Sequence, residues 1–152
     1  MKILILHGVN LNMFGKRDPK HYGHIRLAEI NEALHSLATT LGVELEIFQT
    51  NFEGEMIERI HKAVDEDFAG IVINAGAWTH TSLAIADALD ILSVPVVEVH
   101  MSNVHAREAV RHTSMLSPVV TGSIAGFGVE SYLLGLRAAV SLHQTDKKTK
   151  LL

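Results

Sequence analysis

The sequence has no cysteine, and it is poor in aromatic residues, in proline and in long apolar runs. Without cysteine, disulfides, thiolate nucleophiles and cysteine-ligated metals are excluded. No stretch approaches the roughly 18 consecutive apolar residues of a transmembrane helix, so we expect no association with a membrane. The formal net charge is −4 and no basic block precedes the lysine-rich end, which argues against nucleic acid as a partner.

What remains is an ordinary globular composition, with 47% hydrophobic and 20% charged residues among 152. A chain of this length suits one domain with its own core. The apolar run at residues 3–6 is too short for the hydrophobic region of a signal peptide. We therefore expect a cytoplasmic protein with a single domain over residues 1–152, of which residues 143–152 form a frayed tail.

Strand patterns alternate with helical patterns along the chain. Strands are predicted over residues 3–6, 43–48, 70–74, 96–100 and 119–125. Helices are predicted over residues 27–41, 53–68, 80–92 and 103–115, and after 126–128 as far as 142, with Gly42 as a C-cap and Thr79 as an N-cap. Such alternation predicts an α/β protein with βαβ units and a parallel sheet. With right-handed crossovers, it becomes a flavodoxin-like three-layer sandwich with a five-stranded parallel sheet of order 2-1-3-4-5.

The fourth predicted strand ends in polar residues that a core strand should avoid. Glu98 and His100 are two apart, so they share a face of the strand, where the carboxylate can fix the tautomer of the imidazole and raise its basicity. Asn10 follows the first strand and Asn74 ends the third. Ligands bind beyond the carboxyl ends of such strands, so this convergence favours a functional site over a structural Glu–His pair.

The segment 7–23 after the first strand is long for an α/β protein, in which such connections usually have about 2–6 residues. Its glycines and Pro19 supply turns, whereas Arg17 and Tyr22 supply chemical groups. We interpret this segment as a mobile loop over the site.

Several other functions are disfavoured because the sequence lacks residues that each of them needs. The loop at 7–12 lacks the hydroxyl side chains with which a flavodoxin holds the flavin phosphate, and a phosphoacceptor domain needs an acid where Asn74 stands. The glycines at 126 and 128 form a partial G-x-G-x-x-G after the last strand, which indicates helix packing and not dinucleotide binding. His80, His100, His105 and His112 could lie near one another, but no metal-ligand spacing is present, so we predict no metal.

Four segments carry a family resemblance. They are Asn-Leu-Asn at 10–12, Gly-x-Arg-x-Pro-x-x-Tyr-Gly at 15–23, Asn-x-Gly-Ala-x-Thr-His-Thr-Ser at 74–82 and Glu-Val-His-x-Ser-Asn-Val-His-Ala-Arg-Glu at 98–108. Together they resemble type II 3-dehydroquinate dehydratase (3-dehydroquinase), over about residues 2–142. The chain departs from the family at His7-Gly8-Val9-Asn10, where Asn-Gly-Pro-Asn is usual, and at Trp78, where tyrosine is usual.

The resemblance implies a lyase of the shikimate pathway that removes water from 3-dehydroquinate in a trans elimination through an enolate. Tyr22 would be the base, and the charge of Arg17, five residues earlier, would favour its phenolate. Asn10 would stabilise the enolate oxygen through an ordered water. His100, oriented by Glu98, would protonate the leaving hydroxyl group.

The resemblance also implies the groups that hold the substrate. They are Asn74, His80, Asp87, Met101, Ser102 and Arg111. The backbone N–H groups of Met101 and Ser102 would bind the substrate carboxylate at a helix N-terminus, and Asp87 would reach the site of a neighbour in a dodecamer built from trimers. Arg107 is assigned a structural role.

Neither a cofactor nor a Schiff base is expected. No lysine ends a predicted core strand, and the unrelated Schiff-base dehydroquinases resemble TIM barrels, which need about 250 residues. The main alternative is a non-catalytic protein that binds a small polyhydroxy acid in the same cleft. A biosynthetic role and a role in quinate breakdown both remain open.

Overall fold

Five parallel strands form one sheet in the computed structural model, which describes residues 1–149. They are β1 (Lys2–His7), β2 (Glu44–Gln49), β3 (Gly70–Asn74), β4 (Val96–His100) and β5 (Gly122–Ala125). The order is β2-β1-β3-β4-β5, and every neighbouring pair is parallel. The predicted sheet and its flavodoxin-like order are confirmed.

Helices cover both faces of this sheet. They are α1 (Pro19–Tyr22), α2 (Leu27–Leu41), α3 (Glu53–Val64), α4 (Leu83–Asp90) and α5 (Val129–Thr149). Ile3 and Ile5 of β1 belong to the core under α2 and α5, whereas Leu4 and Leu6 belong to the core under α3 and α4. None of these four side chains has exposed surface, and each such burial contributes about 1.5–3 kcal/mol. The continuous apolar run of β1 is therefore explained by a layer of helices on each face.

Helix α5 lies very close to the sheet. A Cβ atom at Gly135 would come within 2.6 Å of Val99 Cγ1, which is too near for any larger residue. This close approach brings Tyr132, one turn earlier on α5, against the strands with no exposed surface.

Two predicted helices differ from the structure. The predicted helix 80–92 is shorter, as α4, and Ser82 is its N-cap, because the Ser82 hydroxyl accepts the N–H of Ile85 at 2.9 Å. Thr79 lies instead in a 3₁₀ turn (Gly76–His80), so its assignment as the cap was wrong. The predicted helix over residues 103–115 was also wrong.

That segment contains two 3₁₀ turns, Val104–Ala106 and Ala109–Arg111. Between them Arg107 has extended backbone, with φ −105° and ψ −166°, which a continuous helix cannot accommodate. The backbone is therefore extended at Arg107, and the side chain of this residue lines a cleft at the edge of the sheet.

The other boundaries shift by a few residues. Helix α2 has the predicted bounds and ends at Gly42, whose φ of 67° is left-handed. Helix α3 ends at Val64 instead of 68, and β5 begins at Gly122 instead of 119. Helix α5 continues to Thr149, past the predicted end at 142. Residues 150–152 of the predicted tail lie outside the described residues.

Within residues 1–149, no helix combines the length and the apolar character that crossing a membrane requires.

Candidate active site

The carboxyl ends of β3 and β4, the segments that follow them and the loop after β1 enclose a narrow cleft of about 30 Å³. The predicted site residues that line it are Arg17, Tyr22, Asn74, His80, His100, Met101, Ser102 and Arg111. The register of the sheet explains part of this grouping, because His7 at the end of β1 pairs with Asn74 at the end of β3. The predicted convergence is confirmed for Asn74 and His100, which both line the cleft, but not for Asn10.

Glu98 and His100 lie on the same face of β4, as predicted. The ring Nε2 of His100 donates to Glu98 Oε1 at 2.8 Å, and the hydroxyl of Ser114 donates to both carboxylate oxygens at 2.9 and 3.0 Å. Burial raises the pKa of Glu98, but the hydrogen bonds and charge of His100 and the hydrogen bond of Ser114 prevail, so the pKa lies below its ordinary value. Glu98 is therefore an anion that orients the imidazole, and Nδ1 is the ring nitrogen left for a molecule in the cleft.

A second imidazole lies beside the first. The rings of His80 and His100 are stacked, with centroids 6.3 Å apart and an interplanar angle of 21°. His80 Nδ1 donates to the backbone oxygen of Thr113 at 2.8 Å, which fixes the ring and assigns the proton to Nδ1. Nε2 of His80 is thus the acceptor that the ring can offer to a hydroxyl group.

Tyr22, the last residue of α1, lies between two guanidinium groups. The central carbon of Arg17 is 4.2 Å from the centroid of the Tyr22 ring, and that of Arg107 is 5.4 Å from it. Arg107 Nη1 also donates to the Tyr22 hydroxyl at 2.6 Å. Positive charge therefore lies on two sides of the Tyr22 ring, and Arg107 is the cation that contacts the phenol oxygen directly.

Arg107 was assigned a structural role from the sequence, but the structure places its side chain in the cleft beside Tyr22. Its side chain is 7% exposed, and Nη1 also donates to the Ser102 hydroxyl at 3.3 Å. Nε lies 3.5 Å from a carboxylate oxygen of Glu108 without the geometry of a hydrogen bond. The signal that could have found Arg107 was its place in the fourth motif, but the false helix over residues 103–115 made it look like a surface charge.

Arg111 was correctly placed at the cleft, where its side chain is a quarter exposed. Its Nε donates to Glu108 Oε2 at 3.1 Å, so Glu108 holds the guanidinium from one side. The remaining N–H groups of Arg111 can serve an anionic or hydroxylated ligand.

Asn74 is 3% exposed, and both atoms of its amide group are engaged. Nδ2 donates to the hydroxyl of Tyr132 at 2.9 Å, and Oδ1 accepts the N–H of Gly76 at 3.1 Å. Sequence reasoning missed Tyr132, since it lies on α5, 58 residues further along the chain.

Met101 and Ser102 line the cleft, with Met101 buried. However, the helix whose N-terminus was expected to support an anion there is absent, and a single 3₁₀ turn (Val104–Ala106) follows instead. The argument from a helix dipole thus fails, and the positive charge near this point comes from Arg107.

Asn10 and Asp87 are not among the residues that line the cleft. Asn10 is exposed with a left-handed φ of 67°, and its N–H donates to Asn51 Oδ1 at 2.8 Å. Asp87 is exposed on α4. The structure therefore does not bring these two predicted residues together with the others.

A larger cavity of about 530 Å³ adjoins the cleft. Four residues line both spaces, namely Tyr22, Met101, Ser102 and Arg107. On the described part of the chain, no group of three or more His, Asp or Glu side chains is arranged to hold a metal ion.

Comparison with known proteins agrees with the four motifs. A family model described as dehydroquinase class II matches residues 1–140. The 3-dehydroquinate dehydratase of Leptothrix cholodnii is 61% identical over 147 residues, which cover 97% of this chain and 99% of that protein. The enzyme of the same name from Syntrophotalea carbinolica is 60% identical over 145 residues, covering 95% and 98%. The type II dehydroquinase of Butyrivibrio crossotus has a crystal structure that matches with a TM-score of 0.90 and 39% identity, covering 91% of this chain and 97% of that one. The chain therefore belongs to the class II dehydroquinase family.

Proposed function

We propose that this dehydroquinase eliminates water from 3-dehydroquinate through an enolate, with Tyr22 as the base and His100 as the acid, to give 3-dehydroshikimate. The observation that carries the proposal is the placement of the two groups in one cleft. The Tyr22 hydroxyl accepts a hydrogen bond from Arg107 at 2.6 Å, and His100 is held by the buried carboxylate of Glu98 at 2.8 Å. No step in this scheme uses a metal or a lysine imine.

The first step needs a base for a carbon acid. The phenolate of Tyr22 would take a proton from the carbon next to the ketone, and the electron pair of that C–H bond would form the enolate. Tyrosine ordinarily keeps its proton at neutral pH, so the phenolate needs stabilisation. Arg107 at the oxygen and Arg17 over the ring, 4.2 Å from its centroid, supply positive charge on two sides.

The second step expels the hydroxyl group. The enolate would re-form the ketone as its electron pair makes the new C=C bond, and the C–O bond to the hydroxyl group would break. Protonated His100 would give its Nδ1 proton to that oxygen, so that water departs. Glu98 stabilises the charged imidazolium and fixes the direction of the proton.

The remaining cleft residues would hold the substrate. Asn74, His80 and Arg111 would bind ring hydroxyl groups, and the backbone N–H groups of Met101 and Ser102 would lie near the carboxylate. The role of Asn10 in holding a water at the enolate oxygen rests on the family resemblance alone, because Asn10 does not line the cleft.

Substrate entry requires the loop after β1 to move. A space of about 30 Å³ corresponds to about one water molecule, whereas ligand pockets usually measure about 300–1,000 Å³. The loop would therefore open to admit the substrate and close again over it, which returns Tyr22 to Arg107 before the proton is removed. Gly15 and Gly23, with φ of 90° and 61°, flank the segment that carries Tyr22 and suit a hinge.

We further propose that the protein forms the dodecamer that the resemblance implies. It would be built from four trimers, and Asp87 of one subunit would reach the active site of a neighbouring subunit. Three apolar side chains support association, because Leu83, Ile91 and Val110 are 62%, 57% and 69% exposed. The single catalytic domain and the cytoplasmic location expected from the sequence stay predictions.

The experiment is to incubate the purified protein with 3-dehydroquinate and to follow the absorbance of the conjugated enone. The absorbance should rise with the wild-type protein and not with Tyr22→Phe. Lys16→Ala, an exposed change in the same loop, serves as the control. A non-catalytic binding protein would instead give heat in a titration calorimeter without any new absorbance, and that result would contradict the proposal.

A further inference from the structure

A buried chain of hydrogen bonds runs from α2 through the core to the cleft. Asn31 Oδ1 lies 2.9 Å from His7 Nε2, His7 Nδ1 lies 3.0 Å from the Tyr132 hydroxyl, and that hydroxyl accepts from Asn74 Nδ2 at 2.9 Å. His7 and Tyr132 have no exposed surface, and Asn74 has 3%. The chain of bonds ends at a residue that lines the cleft.

The direction of these bonds follows from two groups, the backbone N–H of Gly76 and the side-chain oxygen of Asn31. The N–H of Gly76 can only donate, so the atom of Asn74 that faces it must be the acceptor Oδ1, 3.1 Å away. Nδ2 of Asn74 therefore faces Tyr132 and donates to it. At the other end Oδ1 of Asn31 can only accept, so Nε2 of His7 carries the proton, and Nδ1 of the neutral ring accepts the one hydrogen of the Tyr132 hydroxyl.

Nδ1 of His7 can accept this hydrogen bond because the imidazole is neutral. Burial lowers its pKa to about 4, against a smaller raising effect of the hydrogen bond with Asn31. A neutral ring with a bare Nδ1 carries its proton on Nε2, which then donates to Asn31 Oδ1. Each of these bonds thus points the same way: every residue in the series Gly76, Asn74, Tyr132, His7 and Asn31 donates a hydrogen bond to the next.

We propose that His7 and Tyr132 are positioning residues that fix the amide of Asn74, so that its second Nδ2 hydrogen is presented to the substrate. This inference rests on the proposed function, in which Asn74 binds a ring hydroxyl group. The amide cannot turn over without facing the N–H of Gly76 with its own N–H groups. Preorganising one donor in this way removes the cost of orienting it when the substrate binds.

The test is a double-mutant cycle on the full chain with 3-dehydroquinate as the substrate. Removing one hydrogen bond, with Tyr132→Phe, should lower kcat/KM about fivefold. The loss should fall on KM, because a group that holds a ring hydroxyl binds ground state and transition state alike. In the background of Asn74→Ala, the same change should cause no further loss, because its effect passes through Asn74.

A matched control separates positioning from general damage to the core. Ser131 is also fully buried on α5, and its hydroxyl accepts the N–H of Phe127 at 3.0 Å without touching Asn74. Whatever Ser131→Ala costs should multiply with the cost of Asn74→Ala. If Tyr132→Phe also multiplies with Asn74→Ala, the inference is overturned. If the wild-type protein shows no turnover, it is the proposed function that fails.

His7 gives a second, independent test. His7→Leu removes the acceptor for Tyr132 and should lower kcat/KM as Tyr132→Phe does, whereas His7→Asn should recover most of the loss, since its oxygen is bonded to Cγ as Nδ1 is. A folded His7→Leu variant with wild-type kcat/KM would overturn the inference. If neither variant folds, the ¹⁵N spectrum of the wild-type protein decides. It should show a protonated Nε2 and a bare Nδ1 for His7, and the opposite tautomer would overturn the inference.

Discussion

Acidification should destabilise this protein in part through one residue, His7. In the folded chain its ring is buried and its pKa is lowered to about 4 by desolvation, from an ordinary value of 6.5. Between these two values the unfolded chain binds a proton at His7 and the folded chain does not. Lower pH therefore favours the unfolded state, and the stability that neutral His7 contributes above pH 6.5 is lost as the pH falls to about 4.

The magnitude follows from the width of that window. A gap of about 2.5 pH units corresponds to about 3 kcal/mol at 1.36 kcal/mol per unit. This is a large fraction of a typical unfolding free energy of about 5–15 kcal/mol. Glu98 has a pKa below the ordinary carboxyl value, so its titration lies at the acid end of the window or beyond it.

The assay is urea unfolding of the wild-type protein and of His7→Asn at several pH values between about 7 and 4.5. Protein concentration is kept the same throughout, because association contributes to the apparent stability. Any constant loss of packing in the variant shifts its curve without changing the slope. The wild-type free energy of unfolding should fall more steeply with acid, by up to about 1.4 kcal/mol per pH unit. Parallel curves for the two proteins would refute the burial of a neutral His7.

Three further predictions concern the site and the assembly. Arg107→Ala should lower kcat/KM about 10–100-fold, since a hydrogen bond to a charged group contributes about 1.5–3 kcal/mol; a loss no greater than that of Arg137→Ala, an exposed change on α5, would contradict this. Activity should survive a chelator, and borohydride added with the substrate should not inactivate the enzyme; loss in either treatment would disprove a scheme without metal or imine. Light scattering should report a large oligomer, and a particle of 16.6 kDa at micromolar concentration would rule it out.

The sheet could be predicted because its signals are local. The run Ile3–Leu6 is apolar at every position, and in the structure it is buried on both faces. The apolar pattern of the sequence therefore reports directly the burial of each residue. Glu98 and His100 could be paired for the same reason, since neighbours two apart on a strand share a face.

Features that depend on distant contacts could not be predicted. The contact between Arg107 and Tyr22 joins residues 85 apart, and that between His7 and Tyr132 joins residues 125 apart. No periodicity within a short window reports such pairs. Arg107 was further hidden by its surroundings, because the helical spacing over residues 103–115 conceals the extended backbone at that position.

The central claim is that Tyr22 removes the proton and His100 expels the hydroxyl group. It is tested most directly by incubating variants with 3-dehydroquinate in deuterated water and measuring the label in recovered substrate. His100→Ala should exchange deuterium into the substrate faster than it forms product, because its base is intact and its acid is missing. Tyr22→Phe should neither exchange label nor form product. Exchange that persists in Tyr22→Phe at near the wild-type rate would show that another residue is the base.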